Sequence, residues 1–200
     1  MKLPYLTDYI FIDRGILDLN FCRDLLQNNS EKDSTWEPHT WSYRDSDNNI
    51  SSKSRTEEEL IVKYPHTLAN GAAEKLSTYV NTSLEKYHAK MTRYLSPSEG
   101  AFLCSQISSP RINRYPTGTN MASHHDSIIS LFEKGTGVPV LSVVGLLNDD
   151  FEGGEFMMFD SMKLDLRAGD ILIFPSAFMY RHSVKTVTNG ERWSFVSWVM

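Results

Sequence analysis

Residues 141–199 read LSVVGLLNDDFEGGEFMMFDSMKLDLRAGDILIFPSAFMYRHSVKTVTNGERWSFVSWV. Short β-rich runs follow one another in this stretch, separated by Gly and Asn turn signals, and no helix-length segment lies between them. With the residues just before it, the stretch predicts strands within 105–115, 138–147, 155–159, 171–174, 181–187 and 192–199. Such a series is typical of an antiparallel sandwich or barrel. We therefore predict an α+β fold, mainly β: a jelly roll (double-stranded β-helix) with supporting N-terminal helices.

The first hundred residues predict those supporting helices. Asp18 is placed to cap a short helix from residue 19 to about residue 27. The predicted inward face of this helix consists of Leu19, Cys22, Leu25 and Leu26. A longer helix of roughly two dozen residues is predicted by an apolar stripe at intervals of three or four residues. The stripe consists of Leu68, Ala72, Leu76, Val80, Leu84, Tyr87 and Met91.

Residues 35–55 separate the two helices and are polar, rich in Ser, Asp and Asn. This composition predicts a loop. Trp36 and Trp41 lie within it, and they either pin the loop to the core or contact a ligand. In the second case the loop would serve as a lid over an active site.

Length and charge limit the classes of function. Two hundred residues fit one domain. Within it, residues 1–100 are predicted to form supporting helices and substrate-side loops, and residues 101–200 are predicted to form the jelly-roll core with the metal site. The formal net charge of −5 disfavours nucleic acid as a partner. Cys22 and Cys104 are expected to be reduced thiols. The N-terminus lacks the continuous apolar segment of a signal peptide, and no stretch is long enough to cross a membrane, so a cytoplasmic location is expected.

A group of histidines in the β-rich half predicts a metal site. His124 and Asp126 are two residues apart, so on a strand they point to one face while His125 points to the other. His182 would complete a set of two imidazoles and one carboxylate, which is typical of non-haem Fe(II) oxygenases. Zinc accepts the same ligands, but no HExxH pair accompanies them, and iron is favoured. The histidines predicted to be surface or packing residues are His39, His66 and His88.

Arg192 lies ten residues after His182, beyond an Asn189-Gly190 turn signal. A two-residue turn would direct Arg192 away from His182, whereas a three-residue loop, 188–190, with Gly190 in the left-handed conformation would place both on one face. We predict the three-residue loop. The alternative is an ordinary hairpin in which Arg192 is a surface residue. A guanidinium near iron would bind the far carboxylate of a dicarboxylic cosubstrate, which suggests 2-oxoglutarate.

Four stretches together resemble the iron(II)/2-oxoglutarate-dependent dioxygenases, and within them the prolyl 4-hydroxylase-like branch. They are RYPTGTNMASHHDS (114–127), LSVVGLLNDDFEGGEFMMFD (141–160), AGDILIFPSAFMYRHSV (168–184) and VTNGERWSFVSWVM (187–200). The resemblance implies that His124, Asp126 and His182 are the iron ligands. It implies that Arg192 and Tyr115 bind the far carboxylate of 2-oxoglutarate and that Trp198 lies near that pocket. The implied cofactors are Fe(II), 2-oxoglutarate as cosubstrate and dioxygen, with ascorbate in support.

The activity expected from this resemblance is hydroxylation of an unactivated C–H bond, on a prolyl or other side chain of a peptide or protein, with release of succinate and carbon dioxide. A free amino acid or another small molecule is the first alternative substrate. A jelly-roll metal-binding module without turnover is the alternative from another class. Arg55 lies where related proteins often have a substrate-side arginine.

Overall fold

The computed structural model describes residues 5–30, 34–44, 50–54, 60–68, 71–94, 106–127 and 138–200. Its α-helices are α1 (Leu19–Asn28) and α2 (Ala72–Met91), and short 3-10 helices span Leu6–Tyr9 and Pro65–Thr67. The strands are β1 (Phe11–Asp13), β2 (Trp36–Pro38), β3 (Thr40–Arg44), β4 (Ile50–Ser54), β5 (Ile61–Lys63), β6 (Arg111–Tyr115), β7 (Met121–His124), β8 (Leu141–Leu146), β9 (Glu152–Gly153), β10 (Phe156–Met158), β11 (Met162–Leu164), β12 (Ile171–Pro175), β13 (His182–Val184), β14 (Val187–Asn189) and β15 (Arg192–Val199).

Two antiparallel sheets form the jelly roll. The major sheet has seven strands in the order β1-β12-β8-β15-β6-β5-β2, and the minor sheet has four in the order β11-β10-β13-β7. Side chains from the inner faces of both sheets form one apolar core, in which Phe174 of β12 contacts Phe156 of β10. The prediction of a mainly β jelly roll is confirmed.

A second apolar core lies on the other face of the major sheet, where both helices pack. Strand β12 serves both cores, since successive side chains of a strand point to opposite faces. Ile171 and Ile173 join the helix-side core, and Leu172 and Phe174 join the core between the sheets. The continuous apolar run of β12 therefore reflects a strand that is buried on both faces.

Both predicted helices are present, with small differences at their starts. Asp18 caps α1, its carboxylate accepting hydrogen bonds from the backbone N–H groups of Asn20 and Phe21 at 2.7 and 3.2 Å. Cys22 and Leu25 are buried as predicted, but Leu19, the first residue of α1, is 54% exposed. The apolar stripe of α2 is buried from Ala72 to Met91, whereas Leu68 precedes the helix.

The first hundred residues also contribute strands that the sequence does not predict. β1 pairs with β12, and β5 and β2 extend the major sheet beyond β6. β3 and β4 form a hairpin within residues 35–55, so the prediction of a loop there is wrong. The indole of Trp36 packs edge-on against Trp193, with ring centroids 5.4 Å apart, which pins this segment to the core. The Trp41 side chain and Arg55 lie outside the described residues.

The hairpin predicted between 181–187 and 192–199 is wrong in both of its registers. β13 pairs with β10 and β7, β14 pairs with β9, and β15 lies between β6 and β8 in the other sheet. Gly190 does adopt the left-handed conformation, with φ of 74°. At this turn the chain leaves β14, which pairs with β9 in a separate two-stranded sheet, and enters the major sheet as β15. Strand alternation therefore does not relate His182 to Arg192.

Candidate metal centre and active site

The three predicted metal ligands meet at one end of the minor sheet. His124 ends β7, His182 begins β13, and the two residues are direct partners in the pairing of these strands. Asp126 follows two residues after His124. His124 Nε2 lies 3.3 Å from one carboxylate oxygen of Asp126, and His182 Nε2 lies 3.8 Å from the other. One donor atom from each residue lies within 4.8 Å of the other two, a spacing that suits a single ion.

Hydrogen bonds fix the orientation of all three side chains. Nδ1 of His124 donates to the carbonyl of Ala122 at 2.8 Å, and Nδ1 of His182 donates to the carbonyl of Tyr180 at 3.1 Å. Each Nε2 therefore keeps its lone pair for a metal. Oδ2 of Asp126 accepts from the Ser142 hydroxyl at 2.6 Å and from the Trp198 indole N–H at 3.0 Å.

The protonation states also suit a divalent cation. Burial alone would raise the pKa of Asp126, but His182, His124 and the Ser142 hydroxyl together hold it below its ordinary value. Burial lowers the pKa of His182 to about 4, although Asp126 opposes this shift. At neutral pH Asp126 thus offers a carboxylate and His182 a neutral imidazole, which are donors that Fe(II) takes in oxygenases.

The cluster opens into a cavity between the two sheets. The empty space between its walls, with the open solvent at its mouth included, is about 730 Å³. The major sheet lines it with alternate residues of β6 and β15, so all the predicted site residues face it. These lining residues are Arg111, Asn113 and Tyr115 from β6, and Arg192, Ser194, Val196 and Trp198 from β15.

Arg192 is a buried cation at the end of this cavity. It is 1% exposed, its guanidinium donates to Ser194 Oγ at 3.0 Å, and it lies 5.1 Å from the centre of the Tyr115 ring. Burial lowers the pKa of Arg192, with Tyr115 opposing the shift. Among the residues that the structure describes, no carboxylate forms an ion pair with Arg192. Because a buried charge is costly without a partner, this end of the cavity favours an anion.

Three further residues of the cavity were not predicted to face it. His39, expected to be a surface or packing residue, is buried in the wall, and burial followed by the charge of Arg111 lowers its pKa to about 3. His125 contacts the cavity because β7 ends at His124, so strand alternation no longer applies to it. Arg111 could have been found from its spacing, since it lies on the same strand face as Tyr115, four residues away. His66 and His88 lie outside the cluster, as predicted.

No helix in the described part of the chain is long and apolar enough to span a bilayer. The cytoplasmic location therefore stays a prediction.

Comparisons with known proteins agree with the site. Residues 110–200 match the family model of the 2OG-Fe(II) oxygenase superfamily. A PKHD-type hydroxylase of Gluconobacter oxydans is 31% identical over 106 residues, which cover 49% of this chain and 45% of the relative. One from a Polaromonas species is 32% identical over 137 residues, covering 64% and 56%. The chain spans about half the length of the curated relatives it matches.

Solved structures extend the likeness to nearly the whole chain. A prolyl 4-hydroxylase of Pseudomonas putida superposes with a TM-score of 0.64 at 15% identity, covering 96% of this chain and 91% of that one. A Trichoplax adhaerens prolyl hydroxylase, in complex with a peptide fragment of hypoxia inducible factor, gives 0.68 at 15% identity, covering 97% and 84%. Residues 110–200, which hold His124, Asp126 and His182, are thus similar to the 2OG-Fe(II) oxygenase superfamily, and the fold of the chain is similar to that of prolyl 4-hydroxylases.

Proposed function

We propose that the protein is an Fe(II)- and 2-oxoglutarate-dependent dioxygenase that hydroxylates an unactivated C–H bond, on a prolyl or other side chain of a peptide or protein. One observation carries this proposal: a preformed His–Asp–His cluster and a buried guanidinium without a carboxylate partner among the described residues line the same cavity. The first is the donor set for iron, and the second is the group that a dicarboxylic cosubstrate requires.

In this proposal His124, Asp126 and His182 hold the iron, with three adjacent positions left for reagents. Bound iron, 2-oxoglutarate and dioxygen supply hydroxylation coupled to decarboxylation of the cosubstrate to succinate. Trp198 and Ser142 fix the carboxylate of Asp126 through their hydrogen bonds. Zinc fits the same ligands, but a hydrolytic zinc site would leave the buried charge of Arg192 without a function.

Arg192 and Tyr115 are proposed to bind the far carboxylate of 2-oxoglutarate. The Arg192 guanidinium is already fixed by Ser194 and the Tyr115 ring, so little conformational entropy is lost when a carboxylate binds. Apolar side chains complete the cavity and exclude water from the reacting centre; they are Met121, Val144, Phe156, Val184 and Val196.

The peptide substrate is supported by the relatives. The Trichoplax prolyl hydroxylase, which has a similar fold, was solved with a peptide fragment. A free amino acid or another small molecule, oxidised by the same chemistry, is the alternative substrate.

The test is succinate formation from 2-oxoglutarate in air with Fe(II) and ascorbate, alone and with candidate peptides and amino acids. We expect turnover in the wild type, none in His182→Ala, and in Arg192→Ala a 2-oxoglutarate requirement raised by about tenfold or more. His66→Ala, at an exposed histidine outside the cluster, is the matched control and should match the wild type. A wild type that binds neither iron nor 2-oxoglutarate would leave a non-catalytic binding module in its place.

A further inference from the structure

A second guanidinium, that of Arg111, faces the same cavity. It is partly buried, its Nε donates to Asn113 Oδ1 at 3.2 Å, and its centre lies 5.3 Å from the ring of Trp198. Among the ion pairs of the described residues, none includes Arg111. Like Arg192, it is a cavity-lining cation without a carboxylate of its own in that part of the chain.

The two arginines lie at opposite ends of the site. Arg192 is the direct strand partner of Tyr115, and Arg111 is the partner of Val196, four residues further along. At about 3.4 Å per residue, this places their backbones about 14 Å apart along the strands. Arg111 stacks on Trp198, which donates to the Asp126 carboxylate, so Arg111 is beside the metal cluster and Arg192 is remote from it. A cosubstrate that extends from the metal to Arg192 does not lie along Arg111.

Tyr64 forms a side-chain hydrogen bond with Arg111, but the charges of the cavity leave one of its two guanidinium groups without a carboxylate to balance it. Asp126 is the one acidic side chain among the described residues that line it, and the cations are Arg111 and Arg192. His39, on the wall near Arg111, is neutral because its pKa is about 3. A divalent metal and a dianionic cosubstrate cancel each other, and Asp126 balances one arginine. One positive charge remains, and it favours an anionic ligand at Arg111.

We propose that Arg111 binds a carboxylate of the substrate that is oxidised, close to its target C–H bond. This inference rests on the proposed function and narrows its substrate class. The substrate is then an amino acid with a free α-carboxylate, supplied as the free molecule or as the C-terminal residue of a peptide. An internal residue of a protein chain has no such group.

The experiment measures binding with Mn(II) in place of Fe(II) and with 2-oxoglutarate present. Isothermal titration uses each of the twenty L-amino acids beside its amide, and glycyl dipeptides with free or amidated C-termini. We expect at least one acid to bind the wild type about tenfold or more tightly than its amide. Comparing free amino acids with dipeptides shows whether the carboxylate belongs to a free amino acid or to the C-terminal residue of a peptide. Arg111→Met should bind acid and amide equally, and Arg111→Lys should keep part of the preference.

Arg114→Met is the matched control, since Arg114 lies on the same strand but pairs with Glu191 outside the cavity. It removes the same charge and should keep the preference of the wild type for acids. Unchanged 2-oxoglutarate binding in Arg111→Met would show that the variant is folded and that Arg111 does not serve the cosubstrate.

A wild type that binds no acid better than its amide overturns the inference. So does an Arg111→Met variant in which 2-oxoglutarate binding, rather than acid binding, is lost, although the proposed function then stands. If the wild type binds neither Mn(II) nor 2-oxoglutarate, the proposed function fails and the inference fails with it.

Discussion

Single hydrogen bonds decide how the metal ligands are held. The carboxylate of Asp126 is anchored by the indole of Trp198 and the hydroxyl of Ser142, and each histidine is oriented by a backbone carbonyl. Such outer contacts commonly change metal affinity by about 10–100-fold when they are removed. The sequence predicts that Trp198 lies near the pocket. It does not predict that the indole N–H of Trp198 donates to the Asp126 carboxylate, because residue spacing carries no information on this hydrogen bond.

Trp198→Phe tests this contact. Phe keeps an aromatic ring for packing but cannot donate to Asp126, so we expect affinity for Mn(II) or Fe(II) to fall by about tenfold while the fold persists. Metal titration followed by calorimetry, with circular dichroism as the check on folding, measures the effect. Ser142→Ala should weaken the metal by a comparable factor, and wild-type affinity in both variants would contradict the assigned role.

Two buried histidines make the metal-free protein sensitive to acid. Burial lowers the pKa of His39 to about 3 and of His182 to about 4, so both stay neutral in the folded chain at pH 5. In the unfolded chain each histidine has a pKa of about 6.5. Between that pH and the lower pKa of the folded state, the unfolded chain therefore binds more protons than the folded chain. We expect the free energy of unfolding to fall as the pH drops from about 6.5 to 4, by up to about 1.4 kcal/mol per pH unit for each histidine.

Urea unfolding in the presence of a chelator, repeated across this pH range, measures the decline. His39→Gln, which carries no titrating group, should show a shallower decline, whereas His66→Gln, at an exposed position, should follow the wild type. A decline of equal slope in His39→Gln would remove His39 from the explanation.

At the scale of elements, the centre of the major sheet depends on one glycine. Gly145 of β8 lies opposite Phe195 of β15, and a Cβ on Gly145 would overlap the Phe195 ring. Phe195 is fully buried in the helix-side core, so the ring cannot move aside. The glycine thus lets an aromatic side chain lie flat on the sheet.

Gly145→Ala should lower the free energy of unfolding by about 1–3 kcal/mol, because overpacking forces the neighbouring ring off its position. In Gly145→Ala/Phe195→Leu the shorter side chain relieves the overlap, so the double variant should lose less than the two single losses together. Denaturant unfolding of all four proteins checks the cycle. Simple additivity would contradict the contact.

The elements also show what the sequence can and cannot predict. The apolar stripe of α2 and the Asp18 cap of α1 are local signals, and they predict both helices to within a few residues. β1, β2 and β5 each have three residues, too few for an alternation pattern, and they form by pairing with β12, β5 and β6, respectively. The register of β15 depends on β6 and β8, which are distant in the sequence, so the hairpin predicted from the Asn189-Gly190 turn is wrong.

At the scale of the whole molecule, the site lies between two sheets, of which the major sheet is the one on which both helices of the described chain pack. The major sheet provides Arg192, Tyr115 and Arg111 and is backed by both helices of the described chain. The minor sheet provides His124 and His182. A metal and a cosubstrate bound together would link the two sheets, so their binding energy becomes folding stability.

We therefore expect Mn(II) with 2-oxoglutarate to raise the thermal midpoint by roughly 10–20 °C when both are about a hundredfold above their dissociation constants. Differential scanning calorimetry measures the shift. His182→Ala should show almost none of it, whereas His66→Ala should show all of it. An equal shift in both variants would mean that the ligands stabilise the protein at another place.

The crossing at Gly190 has a consequence for how relatives are aligned. The face that Arg192 presents is determined by the pairing of β15 with β6 and β8, not by the residues that lead into the strand. An insertion in the connection between β14 and β15 would therefore leave Arg192 pointing at the cavity, whereas one inside β15 would turn Ser194, Val196 and Trp198 outward. The interval of ten residues between His182 and Arg192 is thus free to drift among homologues while the two side chains keep their places.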